Sequence, residues 1–294
     1  MRKFFKQFSK NNLKNNFLRE SDQYEFVSGS AHELSVTKAK YSVASCQSTG
    51  KERPHNEDTL FIINTFLTGL NAPIALGLYL VADGMGGHQS GELASNLAAQ
   101  GVFQYMLNNI IQEVLFGRES FSNSDLINHL KQAVDEAQAL VLQRVPGGGT
   151  TLTFVLALGD DLFFAHVGDS RLYLLGKDGS FNLLTRDHSL VKRLVDLGEI
   201  SASEADVHPY RNILYRALGQ SDPFEPDIDV FSMEIGDRLL ICSDGLWDVV
   251  DQQVLQNILQ SKDNLDAAAT DLVNAANDAG GPDNISVILV ERLT

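Results

Sequence analysis

Residues 152–175 read LTFVLALGDDLFFAHVGDSRLYLL. Three apolar runs rich in β-branched and aromatic residues fall in this short span, parted by GDD at 159–161 and DS at 169–170. Such runs read as strands. Gaps this short admit antiparallel hairpins but not the long crossover that a parallel pair requires. The same texture continues outward in YSVASCQS from Tyr41, TLFIINTF from Thr59, IALGLYLVAD from Ile74, FNLLT from Phe181, RLLICSDG from Arg238 and ISVILVE from Ile285. Helical signals fall between these strands. Residues 91–116 place Leu93, Leu97, Met106 and Ile110 at helical spacings, and residues 124–143 follow a candidate N-cap, Asn123, with Leu126, Leu130, Val134 and Leu140 facing inward. LDAAATDLVNAANDA at 265–279 stops at Gly280-Gly281. Grouped rather than alternating strands and helices define an α+β fold, antiparallel sheets with helices on their outer faces.

The chain has 294 residues, 44% hydrophobic and 21% charged, and shows neither an internal repeat nor a low-complexity linker after residue 40. One domain at 41–294 is the simplest organisation, preceded by a basic N-terminal tail at 1–40. That tail carries eight basic and four acidic residues, whereas the whole chain has a net charge of -15. Rich in Asn, Lys and Ser, it reads as solvated and disordered. The alternative is contact with a membrane surface through Phe4, Phe5, Phe8, Leu13 and Phe17, set among Lys and Arg. No apolar run is long enough for a signal-peptide core or a spanning helix, so the expected location is cytoplasmic. So acidic a chain is a poor fit to nucleic acid, whose binding relies on Lys and Arg against phosphates. Two cysteines, Cys46 and Cys242, exclude a disulfide scaffold or a Cys-rich zinc site, and Cys242 reads as core.

Carboxylates cluster at the ends of the strands. Asp83-Gly84 follows LYLVA, Asp244-Gly245 follows LLICS, Asp283-Asn284 follows GGP, Glu57-Asp58 precedes TLFIINTF, and Asp169 lies between two strands. Adjacent strands are about 5 Å apart, so such ends can converge at one sheet edge. Several carboxylates share a small site in ionised form only where cations neutralise them. Oxygen-only ligands select Mg²⁺ or Mn²⁺ over zinc. Taken singly, each Asp-Gly is an ordinary turn, and Asp169-Ser170 is equally the turn of a hairpin between FFAHV and RLYLL.

The words around these carboxylates carry more. RPHNED at 53–58, DGMGGH at 83–88 with Gly91-Glu92, GTTL at 149–152, GDSR at 168–171, LTRDHS at 184–189, CSDG at 242–245 and GGPDN at 280–284 occur in that order. Over about residues 41–294 the chain resembles the metal-dependent Ser/Thr protein phosphatases (PPM, the type 2C phosphatases) in their bacterial form. The resemblance implies a four-layer αββα sandwich, two central antiparallel sheets flanked by helices. It also implies hydrolysis of phosphoserine and phosphothreonine by a water that two Mn²⁺ or Mg²⁺ ions activate, with a third ion in some members. By position, Asp83 matches the carboxylate bridging two ions, Gly84 a backbone-carbonyl ligand, and Asp244 and Asp283 the ligands of the other ion. Glu57 and Asp58 match acids that hold coordinated waters, Asp169 with Asp244 the pair for a third ion, and Arg53 the arginine on the substrate phosphate. Met85 stands where eukaryotic members carry a histidine credited as general acid; His88 is the candidate acid here, set against a structural role. Asp187-His188 reads as a structural pair with Asp187 as N-cap. The partners implied are phosphorylated proteins and a cognate Ser/Thr kinase. The segment 187–226 has the length of a lid or binding loop that shapes substrate choice. Rival readings are a non-catalytic relative, which would lack some of these acids, and a hydrolase of small phosphoesters.

Overall fold

The computed structural model describes residues 40–67, 73–86, 89–118, 120–220 and 225–294. Twelve strands are formed among them: β1 Tyr41–Ser48, β2 Thr59–Leu67, β3 Ile74–Ala82, β4 Gly84–Met85, β5 Gly149–Thr150, β6 Leu152–Leu158, β7 Asp161–Val167, β8 Arg171–Leu175, β9 Phe181–Leu183, β10 Asp227–Phe231, β11 Arg238–Cys242 and β12 Ile285–Arg292. The helices are α1 Gln89–Met106, α2 Gln112–Leu115, α3 Asn123–Arg144, α4 Leu190–Asp196, α5 Ala202–Asp206, α6 Asp244–Trp247, α7 Gln252–Ser261 and α8 Leu265–Asp278. A π-helical turn, Leu107–Ile111, joins α1 to α2.

Two five-stranded antiparallel sheets form the centre, in the orders β1-β12-β11-β8-β9 and β10-β7-β6-β3-β2. The period-two alternation of strand side chains explains their stacking. On β3, Leu76, Leu78 and Leu80 face α1 and α3 across one apolar core. Tyr79 and Val81, one residue out of phase, pack with Leu239, Ile241, Ile288 and Val290 of the other sheet. A third core joins the outer face of that sheet, through Leu240, Val287 and Leu289, to α7 and α8. Each fully buried leucine here contributes about 1.5–3 kcal/mol over an exposed one. The buried Tyr79 hydroxyl donates to Asn64 Oδ1 (3.1 Å), and Asn64 Nδ2 reaches the Tyr41 carbonyl (3.0 Å), so the polar tip in this core is satisfied. The layers are αββα, as expected.

Four sequence readings change. The stretch GDS at 168–170 is not a hairpin turn: β7 pairs with β6 and β10, β8 with β11 and β9, so it crosses from one sheet to the other. The N-cap of α3 is Ser122, whose side chain accepts from Asp125 N in a reciprocal capping box. Leu140 is only half-buried, while Ala133, Ala137 and Val141 complete the inward face of α3. Asp187 caps nothing; Ser189 caps α4. Cys242 is buried, as read. Among the described residues no helix is long and apolar enough to cross a membrane. The tail at 1–39 lies outside the described residues.

The fully buried His166 on β7 gives the fold a pH dependence. Its Nε2–H points to the Arg186 carbonyl (3.1 Å), and Nδ1 stands 2.8 Å from Thr153 Oγ1. Burial first, then the neighbouring His188, pushes its pKa down to about 4. A histidine with a depressed folded pKa is held neutral in the native state. The unfolded chain therefore takes up its proton first, and stability falls as pH drops from 6.5 toward 4. Relative to His166→Gln, wild type should lose about 2 kcal/mol of unfolding free energy between pH 7 and pH 5. Urea titrations of both proteins measure it, and the acidic cluster described below cancels in the difference. Parallel curves would refute it.

Candidate active site

Both sheets deliver carboxylates to one end of the sandwich. Asp83 follows β3 and Asp58 precedes the paired β2; Asp244 follows β11 and Asp283 precedes the paired β12. Asp169 sits in the inter-sheet crossover, its carbonyl accepting from Trp247 Nε1 (3.0 Å). Arg53, Glu57, Asp83, Gly84, Asp169, Asp244 and Asp283 line one cavity of about 220 Å³, together with Asn212 and Leu214 from the long segment after residue 187. That segment therefore does border the site.

Local bonds fix each group. Asp83 N donates to Thr151 Oγ1 (2.9 Å), and its carbonyl accepts from Thr151 N and Thr150 Oγ1 (both 2.9 Å), so the GTTL motif seats the aspartate. Gly84 is a steric requirement: a Cβ there would meet the Gly91 carbonyl oxygen at 2.2 Å and that of Glu57 at 2.5 Å. Asp58 Oδ2 accepts from Ser243 (2.8 Å) and Ser286 (2.6 Å). Asn284 latches the loop that bears Arg53 and Glu57: its Oδ1 accepts from Glu57 N (2.7 Å), and its Nδ2 donates to the carbonyls of His55 (2.8 Å) and Thr49 (2.9 Å). Arg53 is half-exposed and bonds Asp283 at 2.6 Å. Arg171 grips Asp187 through two bonds (3.0 and 2.7 Å) and lies 3.5 Å over the Trp247 ring. His88 lies outside the described residues.

Burial first, and then the crowding of like charges, decides the electrostatics. Burial, then Asp244 and Asp283 nearby, pushes Asp58 up to about 7 against the two serine hydrogen bonds. Burial, then Asp58, Asp244 and Asp169, drives Asp83 well above the usual carboxylate range. Asp169 is raised by burial and then by Asp244 and Asp187, and Asp244 is raised to about 6 by burial and then by Asp283. Asp83 and Asp244 are close enough that each changes the other's proton affinity. Asp58 Oδ1 and Asp244 Oδ1 are buried with no hydrogen-bond partner. Orphaned carboxylate oxygens in a cluster of acids are what hard cations satisfy. Among the described residues no three acidic, His or Cys side chains already close on one point.

Sequence reading missed Asn284, Ser243, Ser286, Trp247 and Asn212. A signal existed for the serines, since each interrupts or ends an otherwise apolar strand at a buried position.

Residues 71–290 match the sequence profile of the protein phosphatase 2C family. The serine/threonine phosphatase Stp of Listeria welshimeri is 38% identical over 243 residues, covering 83% of this chain and 92% of that protein. The serine/threonine phosphatase of S. agalactiae superposes with a TM-score of 0.73 at 31% identity, over 86% of this chain and 99% of that one. The catalytic domain of the serine/threonine phosphatase PstP, solved in complex with two manganese ions, superposes with a TM-score of 0.69 at 32% identity, over 86% and 99%. This chain belongs to the protein phosphatase 2C family.

Proposed function

We propose that the chain is a Mn²⁺- or Mg²⁺-dependent protein phosphatase that hydrolyses phosphoserine and phosphothreonine. The observation that carries it is a cavity lined by Glu57, Asp83, Asp169, Asp244 and Asp283 beside Arg53, with Asp244 Oδ1 and that of the neighbouring Asp58 buried and unpartnered. The two manganese ions of the PstP relative support the choice of metal. Asp83, central among the acids, would serve two ions, one of them with the Gly84 carbonyl; Asp244 and Asp283 would hold the other, and Glu57 and Asp58 would hold coordinated waters. Asp169 and Asp244 would take a third. Bound there, such ions supply Lewis acidity and an activated water for direct attack on phosphorus.

The chain's own residues do the rest. Arg53 offers a planar fork that can leave Asp283 for two phosphate oxygens. Ser243 and Ser286 keep one oxygen of Asp58 engaged and turn the other toward the cluster. Asn284 keeps the loop bearing Arg53 and Glu57 against Asp283. Asn212 and Leu214 present the long segment to the polypeptide around the phosphoresidue. Phosphorylated proteins as substrates, a cognate kinase and a cytoplasmic setting are inferred from the family.

The test is direct. Purified protein with Mn²⁺ should dephosphorylate phosphothreonine peptides in preference to small phosphoesters and stop in EDTA; undiminished activity after exhaustive chelation would refute the reading. The domain is proposed to begin near residue 41. A chain lacking residues 1–39 should then keep turnover within about twofold, measured on the same peptide. An inactive but soluble product would place the tail in the catalytic unit.

A further inference from the structure

Both ends of the long segment between β9 and β10 meet at His188, which bonds Gly168 of the inter-sheet crossover. His188, at its start, is 1% exposed. Its backbone N–H donates to the Gly168 carbonyl (2.7 Å), and the Gly168 N–H donates back to His188 Nδ1 (3.1 Å). Nδ1 must therefore be the unprotonated nitrogen, which places the ring proton on Nε2. Nε2 faces Asp227 Oδ2 at 3.2 Å, and Asp227, opening β10 at the segment's far end, also accepts from Arg216 (3.0 Å). The His188 carbonyl accepts from Tyr215 N (2.9 Å). Gly168 itself has φ of +112°, and a Cβ there would stand 2.6 Å from Thr151, the residue that seats Asp83. The residue that follows Gly168 is Asp169.

We propose that His188, oriented by Asp227, is a positioning residue for Asp169: its ring nitrogen holds the Gly168 amide, and so aims the next carboxylate at Asp244. The proposal rests on the reading of Asp169 as a cation ligand. It makes the long segment and the third-ion site one mechanical unit, because the same imidazole closes the segment and sets the carboxylate. Groups that orient a ligand in this way typically change metal affinity 10- to 100-fold when removed.

Calorimetric titration of Mn²⁺ into EDTA-stripped, desalted protein tests it without reference to turnover. His188→Ala should weaken the loosest Mn²⁺ site about tenfold and leave the tighter sites unchanged. His188→Asn, whose side-chain oxygen can take the place of Nδ1, should restore affinity to within about threefold. Asp227→Ala, at a half-exposed position that tolerates truncation, should weaken the same site even if His188→Ala fails to fold. In an Asp169→Asn background none of the three should weaken Mn²⁺ binding further. Wild-type affinity in folded His188→Ala and in Asp227→Ala overturns the proposal, as does an undiminished His188→Ala effect in the Asp169→Asn background. If Asp169→Asn alone binds every Mn²⁺ as wild type does, the cation role of Asp169 is what fails, and the positioning role falls with it.

Discussion

Asp83→Asn should cut turnover by on the order of 10³-fold, yet melt no lower than wild type in EDTA. The two outcomes share one cause. Asp83 stands among Asp58, Asp244 and Asp169 and is driven well above the ordinary carboxylate range by burial and by those neighbours. Without cations its charge is a liability, and the amide is a near-isostere without it. Its backbone keeps the Thr151 and Thr150 bonds, so nothing in the local fold is lost. Each kcal/mol of relieved repulsion raises the melting temperature of a domain this size by roughly 2–4 °C. Saturating Mn²⁺ should reverse the order: an ion at a hundred times its dissociation constant stabilises wild type by about 2.7 kcal/mol, and the variant gains less. Differential scanning calorimetry with and without Mn²⁺, beside peptide turnover, reads both. A variant that melts well below wild type in EDTA would mean that Asp83 is held by a bond rather than crowded by charge. Full activity would remove it from the site.

What the sequence made legible was periodic or punctuated. β3, β6, β7, β11 and β12 were plain because each is a buried apolar run bounded by turn residues. DIDVF, which is β10, was passed over because it is an edge strand whose side chains stay half wet, so alternating Asp breaks the apolar signal. The carboxylates could be placed at strand ends, and the ordered motifs tied them to one family. Pairing could not be read from spacing. A three-residue gap closes a hairpin as readily as it carries a chain across to a second sheet, and only the partners of β7 and β8 tell the two apart. Supporting bonds were equally hidden. Asn284 reaches back to Thr49, His55 and Glu57, contacts that depend on register between β1, β12 and the loop after β1 rather than on any local pattern. Asp187 looked like a cap because it precedes a helix, but the serine two positions on already satisfies that end, leaving the aspartate for Arg171.

The crossover also sharpens what Asp169→Asn should do. As a hairpin turn, GDS would owe its aspartate to turn chemistry, and Asn would replace it at no cost in either stability or activity. In the structure the backbone there is held by other means: Trp247 takes the Asp169 carbonyl, Ser170 Oγ meets Thr151 Oγ1 at 2.8 Å, and His188 brackets Gly168. Asp169 is 7% exposed, its carboxyl is raised by burial and by Asp244, and the residue lines the acid-lined cavity. If Asp169 is the cation ligand proposed above, removing its charge should spare the fold. Asp169→Asn is therefore expected to melt within about 2 °C of wild type in EDTA, since its substitution changes less than ~1 kcal/mol. It should keep the two tighter Mn²⁺ ions and lose roughly 10²-fold in kcat at every Mn²⁺ concentration. Trp247→Phe is the matching control. It removes the donor to the Asp169 carbonyl and should cost about 1–3 kcal/mol of stability, with the folded fraction losing less turnover than Asp169→Asn. Should Asp169→Asn instead melt several degrees low and regain wild-type kcat per folded molecule, the carboxylate serves the crossover alone and the third-ion role fails.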